Sequence, residues 1–190
     1  ILSLTSKGEE QRTILMSSLG HVWDANETWI VLGVGVLLIA FPAAHGVILT
    51  SMYIPITIML LGLILRGVAF DFRVKAGDAK KERWNKIFFA GSVIASVSQG
   101  WMLGSYITGL QGNLTSVLFS ALISVTLPSL YVLLGAAWLM MKTEDELFNK
   151  ALRWARLAIG PMGLGLLLVS IATPIVSASI AAKWFTMPNA

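Results

Sequence analysis

The sequence predicts an all-α, polytopic membrane helix bundle with about five transmembrane helices. Apolar residues make up 56% of its 190 residues and charged residues only 13%. The mean hydropathy is +0.76, far from the values of soluble domains. The apolar residues also fall into long blocks, and a helix needs about 20 residues to cross a hydrocarbon core of about 30 Å.

Five apolar blocks define the predicted crossings, near residues 22–42, 47–67, 87–109, 115–141 and 157–180. We expect a single transmembrane domain over residues 1–190. The chain begins at Ile1 rather than at methionine and shows no signal-peptide pattern. We therefore expect it to be an internal fragment of a longer subunit.

The basic residues predict the orientation of the helices. Of the 14 lysines and arginines, all except Lys183 precede the first block, lie between blocks two and three, or lie between blocks four and five, if Arg66 at the end of block two is counted with the second group. Such residues accumulate on the cytoplasmic side. Residues 73–86 and 142–156 should therefore face the cytoplasm, and residues 42–46 and 110–114 should face outward. The net charge of +4 is explained by these loops, and no nucleic-acid binding is predicted.

The stretch GHVWDANETW, residues 20–29, places polar groups at the start of the first helix. The apolar run that follows, residues 29–41, would form only about 20 Å of helix. The helix must therefore begin near His21 or Val22, which brings carboxylates to the inner-leaflet region. Four side chains share one face of this helix, the polar stripe: His21, Asp24, Glu27 and Thr28.

Two interpretations of the polar stripe remain open. Its acidic residues could cap the helix and complement its dipole while solvated among the headgroups. Alternatively, the stripe could take up protons, because ionisable residues at membrane depth usually mark ion or proton pathways. In that case His21 would shuttle protons near neutral pH.

A second polar cluster lies in residues 65–84. Arg66 is expected at the inner edge of the membrane, and Asp71 could pair with Lys75 if the helix continues. The basic loop here is interpreted as an anchor facing anionic lipid. The functional alternative is that Arg66, Asp71 and Arg73 form supporting ion pairs that brace the polar stripe.

The third block carries a small residue at every fourth position, which lets helix backbones approach closely. This packing stripe comprises Ser92, Ser96, Gly100, Gly104 and Thr108. Gln99 on the same helix needs a hydrogen-bond partner, most simply from a neighbouring helix.

Few residues could hold a metal or a haem. The chain has no cysteine, which excludes disulfides and thiolate metal sites. His21 and His45 are 24 residues apart, or about 36 Å along a helix, so they cannot share one haem. We predict no metal site and no catalytic residue in this chain.

Three motifs resemble one known family. EEQRTILMSSLGHVWDANETW at 9–29, LRGVAFDFR at 65–73 and FAGSVIASVSQG at 89–100 look like subunit II of the cytochrome bd quinol oxidases, closest to its cyanide-insensitive branch. The resemblance implies a bacterial inner-membrane protein that pairs with subunit I, which carries haem b, haem d and the quinol-oxidising loop. Subunit II would support assembly and proton delivery, and a bound quinone is possible.

The family's Trp-Asp-x-Asn motif maps onto Trp23, Asp24 and Asn26. Its acidic residue is implicated in a cytoplasmic proton pathway, so the resemblance makes Asp24 the first choice for a proton relay. A full family member has a further helix before and further helices after these 190 residues. Two other functions stay open: a fragment of an ion-coupled transporter, because intramembrane carboxylates also mark substrate sites, and a purely structural membrane subunit.

Overall fold

The computed structural model describes residues 9–19, 23–176 and 178–184, which form α-helices joined by short connections. No strand occurs in this part of the chain. The helices are α1 (Glu9–Leu19), α2 (Trp23–Ala40), α3 (Pro42–Ser51), α4 (Tyr53–Lys75), α5 (Asp78–Ile107), α6 (Leu114–Lys142), α7 (Asp145–Val176) and α8 (Ala178–Trp184).

The predicted polytopic helix bundle is confirmed. Four helices are long and apolar enough to cross a membrane: Tyr53–Lys75, Lys80–Ile107, Leu114–Lys142 and Glu146–Val176. The first predicted crossing differs from these four, because its apolar part, Thr28–Ala40, is shorter. Pro42 has no N–H to extend α2, and Phe41 leaves the helical conformation with φ −136° and ψ 60°.

The sequence places residues 42–46 between the first two apolar blocks, but the structure makes them part of a helix. These residues begin α3, with Pro42 in its first turn, where a proline is tolerated. The next crossing consequently covers Tyr53–Lys75 rather than residues 47–67. The two helices meet at Met52, whose backbone has φ −106° and ψ 15°. The hydrogen-bond ladder continues across it, since its N–H donates to the Ile48 carbonyl and its carbonyl accepts from the Ile56 N–H, both at 2.9 Å.

Consecutive long helices pack against each other, α4 with α5, α5 with α6 and α6 with α7. Short connections join them, so the four crossings alternate in direction. Glycines bring α4 and α5 together: a Cβ added at Gly62 would lie 2.9 Å from the Ala95 nitrogen, and one at Gly91 would lie 2.8 Å from the Arg66 nitrogen. Both distances are too short for a real Cβ, so only glycine fits at these positions.

Helix α1 docks where α6 ends and α7 begins. Leu15 is buried with Leu139 and Ala151. The Lys150 Nζ donates a hydrogen bond to the Gln11 Oε1 at 2.7 Å, and the Trp138 Nε1 donates to the Ser18 carbonyl at 3.3 Å. These contacts hold α1 at the end of the bundle that is predicted to be cytoplasmic.

Candidate functional site

The polar stripe lies at the beginning of α2. Because α2 starts at Trp23, Asp24 and Glu27 fall in its first two turns. His21 lies outside the described residues, and so do the side chains of Asp24 and Glu27; Thr28 is exposed. Proton uptake by these four residues therefore stays a prediction.

The second predicted cluster holds a buried arginine bound to an amide. Arg73 is only 4% exposed and Asn85 is fully buried. The Arg73 Nε donates a hydrogen bond to the Asn85 Oδ1 at 2.7 Å, a charge-assisted bond of the stronger kind. The second amide atom, Asn85 Nδ2, is buried without a hydrogen-bond partner.

Apolar and aromatic side chains enclose this Arg73–Asn85 pair. Ala69 and Phe88 form a buried cluster one turn away from it. The rings of Phe72 and Trp84 stack with their centroids 5.3 Å apart. The pair is therefore shielded from water, which strengthens its hydrogen bond.

Arg66 and Asp71 occupy different surroundings from Arg73. Arg66 precedes Arg73 by two helical turns, and its Nε is buried. Asp71 is exposed; although α4 continues to Lys75 as the expected pair requires, no Asp71–Lys75 ion pair forms in the described structure. The bracing role of Arg66, Asp71 and Arg73 stays a prediction.

The predicted partner of Gln99 is confirmed. The Tyr131 hydroxyl of α6 donates a hydrogen bond to the Gln99 Oε1 at 2.8 Å. Both residues lie well inside their apolar helices. The bond therefore ties α5 to α6 at membrane depth, where a polar group needs such a partner.

The packing stripe of α5 lies partly against α6. A Cβ added at Gly100 would lie 2.6 Å from the Ser124 Cα, and one added at Gly104 would clash with Ser120. Ser96 and Thr108 are buried, whereas Ser92 is half-buried and donates to the Phe88 carbonyl.

No group of three or more His, Cys, Asp or Glu side chains in the described ranges could hold a metal ion. His45 is half-buried in α3.

Comparison with known proteins identifies the family. The sequence model described as "Cytochrome bd terminal oxidase subunit II" matches residues 1–188. The chain belongs to this family. As a subunit II, it is 31% identical over 163 residues to the cytochrome bd ubiquinol oxidase subunit 2 of Bacillus subtilis, an alignment that covers 80% of this chain and 48% of that protein.

Two further relatives agree with this assignment of the subunit. The probable cytochrome oxidase subunit 2 of Haemophilus influenzae is 28% identical over 166 residues, and the cytochrome bd-I ubiquinol oxidase subunit 2 of Escherichia coli K12 is 25% identical over 167 residues. Each alignment covers 80% of this chain and 44% of the relative. The chain thus spans about half the length of the curated relatives it matches.

Sequence reasoning missed several residues of this subunit II. Asn85 stands among charged residues in the run RWNK, just outside the second polar cluster, and nothing in the sequence marks it for burial. Gly62 and Gly91 pair across two helices, so neither shows a pattern within its own helix. The counterpart of the packing stripe did have a signal, because Ser116, Ser120 and Ser124 recur every fourth residue of α6.

Proposed function

We propose that this chain is part of subunit II of a cytochrome bd-type quinol:oxygen oxidoreductase of the respiratory chain. The observation that carries the proposal is the match of the subunit II family model to residues 1–188. The four membrane-spanning helices fit a multi-pass subunit of such a complex. We place it in the bacterial inner membrane.

In this proposal, the partner subunit carries out the chemistry of the complex. Subunit I would carry haem b and haem d and oxidise quinol, while this chain would support assembly and deliver protons from the cytoplasm. The close packing of α4 to α7 against one another supports the assembly role. A cyanide-insensitive enzyme and a bound quinone are further expectations of the family resemblance.

The polar stripe is the proposed route for protons. Asp24 lies in the first turn of α2, at the side of the membrane that the basic residues mark as cytoplasmic. Ionisable residues at membrane depth usually mark ion or proton pathways, which supports a relay role for this carboxylate. Glu27, Thr28 and His21 would extend the relay, and Arg66, Asp71 and Arg73 would support it.

The test is to purify the complex through this chain and to record its visible spectrum and oxygen consumption. Haem d absorbance is expected; its absence, together with solute transport, would favour the ion-coupled transporter. In Asp24→Asn, the haem spectrum should remain, because asparagine caps a helix about as well as aspartate. Turnover should fall by about 100-fold, the lower end of what a positioned proton-transfer group contributes.

Two further variants separate a relay from a helix cap. Asp24→Glu should recover part of the turnover, because it keeps an exchangeable proton. Glu144→Gln, in the exposed turn before α7, is the matched control and should turn over like the wild type. An Asp24→Asn complex with wild-type turnover would leave the stripe as a helix start and the chain as a structural subunit.

A further inference from the structure

A groove lies where the start of α4 meets the outer half of α5. Its volume is about 530 Å³, and its walls come from the end of α3, the first turns of α4 and residues 97–101 of α5. This volume falls within the range of about 300–1,000 Å³ that is usual for small-molecule sites.

One serine hydroxyl that opens onto this groove has no hydrogen-bond partner. Ser98 is 6% exposed and lines the groove, but its Oγ forms no hydrogen bond with any described residue. Other serines in these helices behave differently: Ser92, Ser120 and Ser124 each donate to the carbonyl one turn earlier at 2.8 Å. In the apolar interior of a membrane a hydroxyl without a hydrogen-bond partner is costly, so the Ser98 Oγ, which is accessible from the groove, indicates that the groove holds a hydrogen-bonding ligand.

Four more hydrogen-bonding side chains surround the same groove: Thr50, Ser51, Tyr53 and Trp101. None of them forms a side-chain hydrogen bond within the described part of the chain. The wall contains no charged residue. All of these groups can donate a hydrogen bond, so the ligand they suit is neutral where they touch it and carries acceptor oxygens.

The position of the groove in the membrane narrows the choice of ligand. Tyr53 precedes Arg73 by 20 residues, about 30 Å of helix, which is the thickness of the hydrocarbon core. Tyr53 therefore lies at the outer edge when Arg73 lies at the inner edge. Ser98 lies nine residues before the end of α5, about 13 Å deeper. The groove consequently extends from the outer interface towards the membrane centre.

We propose that this groove binds the ester region and the first part of one acyl chain of an outer-leaflet phospholipid. The ester carbonyls supply neutral acceptors at this depth, and the alkyl chain matches the apolar wall formed by Ile54, Ile58 and Val97. A transmembrane helix suits the groove less well, because its backbone carbonyls are already hydrogen-bonded internally. This lipid site does not depend on the proposed oxidase function.

Photolabelling in nanodiscs tests the lipid site without requiring enzymatic activity. The complex is reconstituted in phosphatidylglycerol with a small fraction of phosphatidylcholine that carries a diazirine close to the acyl ester. After irradiation, peptide mapping should find more label in residues 50–58 and 97–101 than on the lipid-facing surface of α7. Ser98→Leu should abolish this label by filling the groove, and Ser98→Ala, which leaves the packing intact, should reduce it.

Ser170→Leu is the matched control. It makes the same substitution at an exposed position of α7, outside the groove, and should not alter the labelling. Uniform labelling of all helices would overturn the proposal, as would label in Ser98→Leu equal to that of the wild type. Loss of label on addition of a soluble ubiquinone analogue would assign the groove to a quinone instead. Labelling of α7 with none in the groove would show that protein covers it.

Discussion

An amide, rather than a carboxylate, accepts the hydrogen bond of the buried Arg73 Nε. Arg73 is 4% exposed, and its Nε donates to the Asn85 Oδ1. A buried charge is tolerated only when its hydrogen bonds are satisfied, and a hydrogen bond to a charged group contributes about 1.5–3 kcal/mol. Asn85 therefore contributes to the stability of the α4–α5 hairpin in a way that its exposed neighbour Lys86 does not.

Replacing Asn85 should expose this dependence. Asn85→Ala removes the acceptor of the buried Arg73 Nε, and we expect the free energy of unfolding to fall by about 1.5–3 kcal/mol. Thermal denaturation of the solubilised complex would measure the loss. Lys86→Ala, at an exposed position on the same helix, should leave the melting temperature unchanged.

Asn85→Asp distinguishes hydrogen bonding from packing. Aspartate keeps the Oδ1 acceptor, adds a charge opposite to that of Arg73 and removes the Nδ2 donor, which is buried without a partner. We expect stability close to that of the wild type. If the Asn85→Asp complex were as unstable as Asn85→Ala, the shape of the amide, and not its acceptor oxygen, would stabilise the contact with α4.

The Tyr131–Gln99 hydrogen bond provides a second residue-scale prediction. Tyr131→Phe removes the hydroxyl donor while it preserves the ring. Hydrogen bonds between membrane helices contribute about 0.6 kcal/mol on average, so a small loss of thermal stability is expected. In a double-mutant cycle with Gln99→Leu, the two losses should not add. Tyr106→Phe, whose exposed hydroxyl lacks a hydrogen bond with any described residue, is the control; full additivity would contradict the coupling.

The sequence predicted the hydrogen bonding of a residue only where that residue's own helix determined it. Gln99 stands in an apolar helix, so its requirement for a partner could be stated without knowing that Tyr131 supplies it. Asn85 could not be found in this way, because it stands among charged residues and its burial depends on how α4 crosses α5. The side chains of Asp24 and Glu27 remain predictions of the sequence alone.

At the scale of the helices, small residues determine how closely the elements pack. Gly100 and Gly104 face Ser124 and Ser120 across the α5–α6 contact. Thr126 similarly lies against Gly165 where α6 meets α7, with only 2.6 Å between its Oγ1 and a Cβ added at that glycine. Because helix association in membranes depends on such close contact, these positions should tolerate no larger side chain.

Gly100→Leu tests this close packing. A leucine side chain has no space beside the Ser124 Cα, so we expect loss of the assembled complex, measured by size-exclusion chromatography after solubilisation. Gly163→Leu is the matched control, since a Cβ at Gly163 meets nothing within 4 Å and the protein should assemble. A stable Gly100→Leu complex would show that α5 and α6 do not approach closely.

The sequence predicted that the long helices exist, but it predicted only some of the residues at which they begin and end. The apolar blocks located α4–α7 because hydropathy over about 20 residues is a strong signal. The second apolar block was predicted to begin at residue 47, whereas α4 begins at Tyr53 and residues 42–46 form part of α3. Prolines in a first helical turn and prolines in a turn look alike in a single sequence.

At the scale of the whole molecule, the described crossings alternate in direction. The basic connections therefore lie at one end of the bundle and the neutral loop lies at the other. The α4–α5 connection at residues 76–77 and the α6–α7 connection at residues 143–144 lie at one end of the bundle. Helix α1 docks at that same end through Lys150 and Trp138. The loop at residues 108–113, which contains no charged residue, lies at the other end.

This arrangement predicts which residues reagents can reach from outside the cell. The chain contains no cysteine, so single cysteines introduced into it can be labelled without background from this subunit. Lys80 and Gly112 are both exposed and lie at opposite ends of α5. In intact cells, a membrane-impermeant maleimide should label Gly112→Cys, because residues 110–114 are predicted to face outward, and should spare Lys80→Cys.

Permeabilisation supplies the control for this topology. Once the reagent crosses the membrane, Lys80→Cys should react as readily as Gly112→Cys, and Glu144→Cys should follow Lys80→Cys because both lie at the predicted cytoplasmic end. If intact cells labelled Lys80→Cys and spared Gly112→Cys, the bundle would have the opposite orientation. The polar stripe at the start of α2 would then face the wrong compartment, and Asp24 could not deliver cytoplasmic protons.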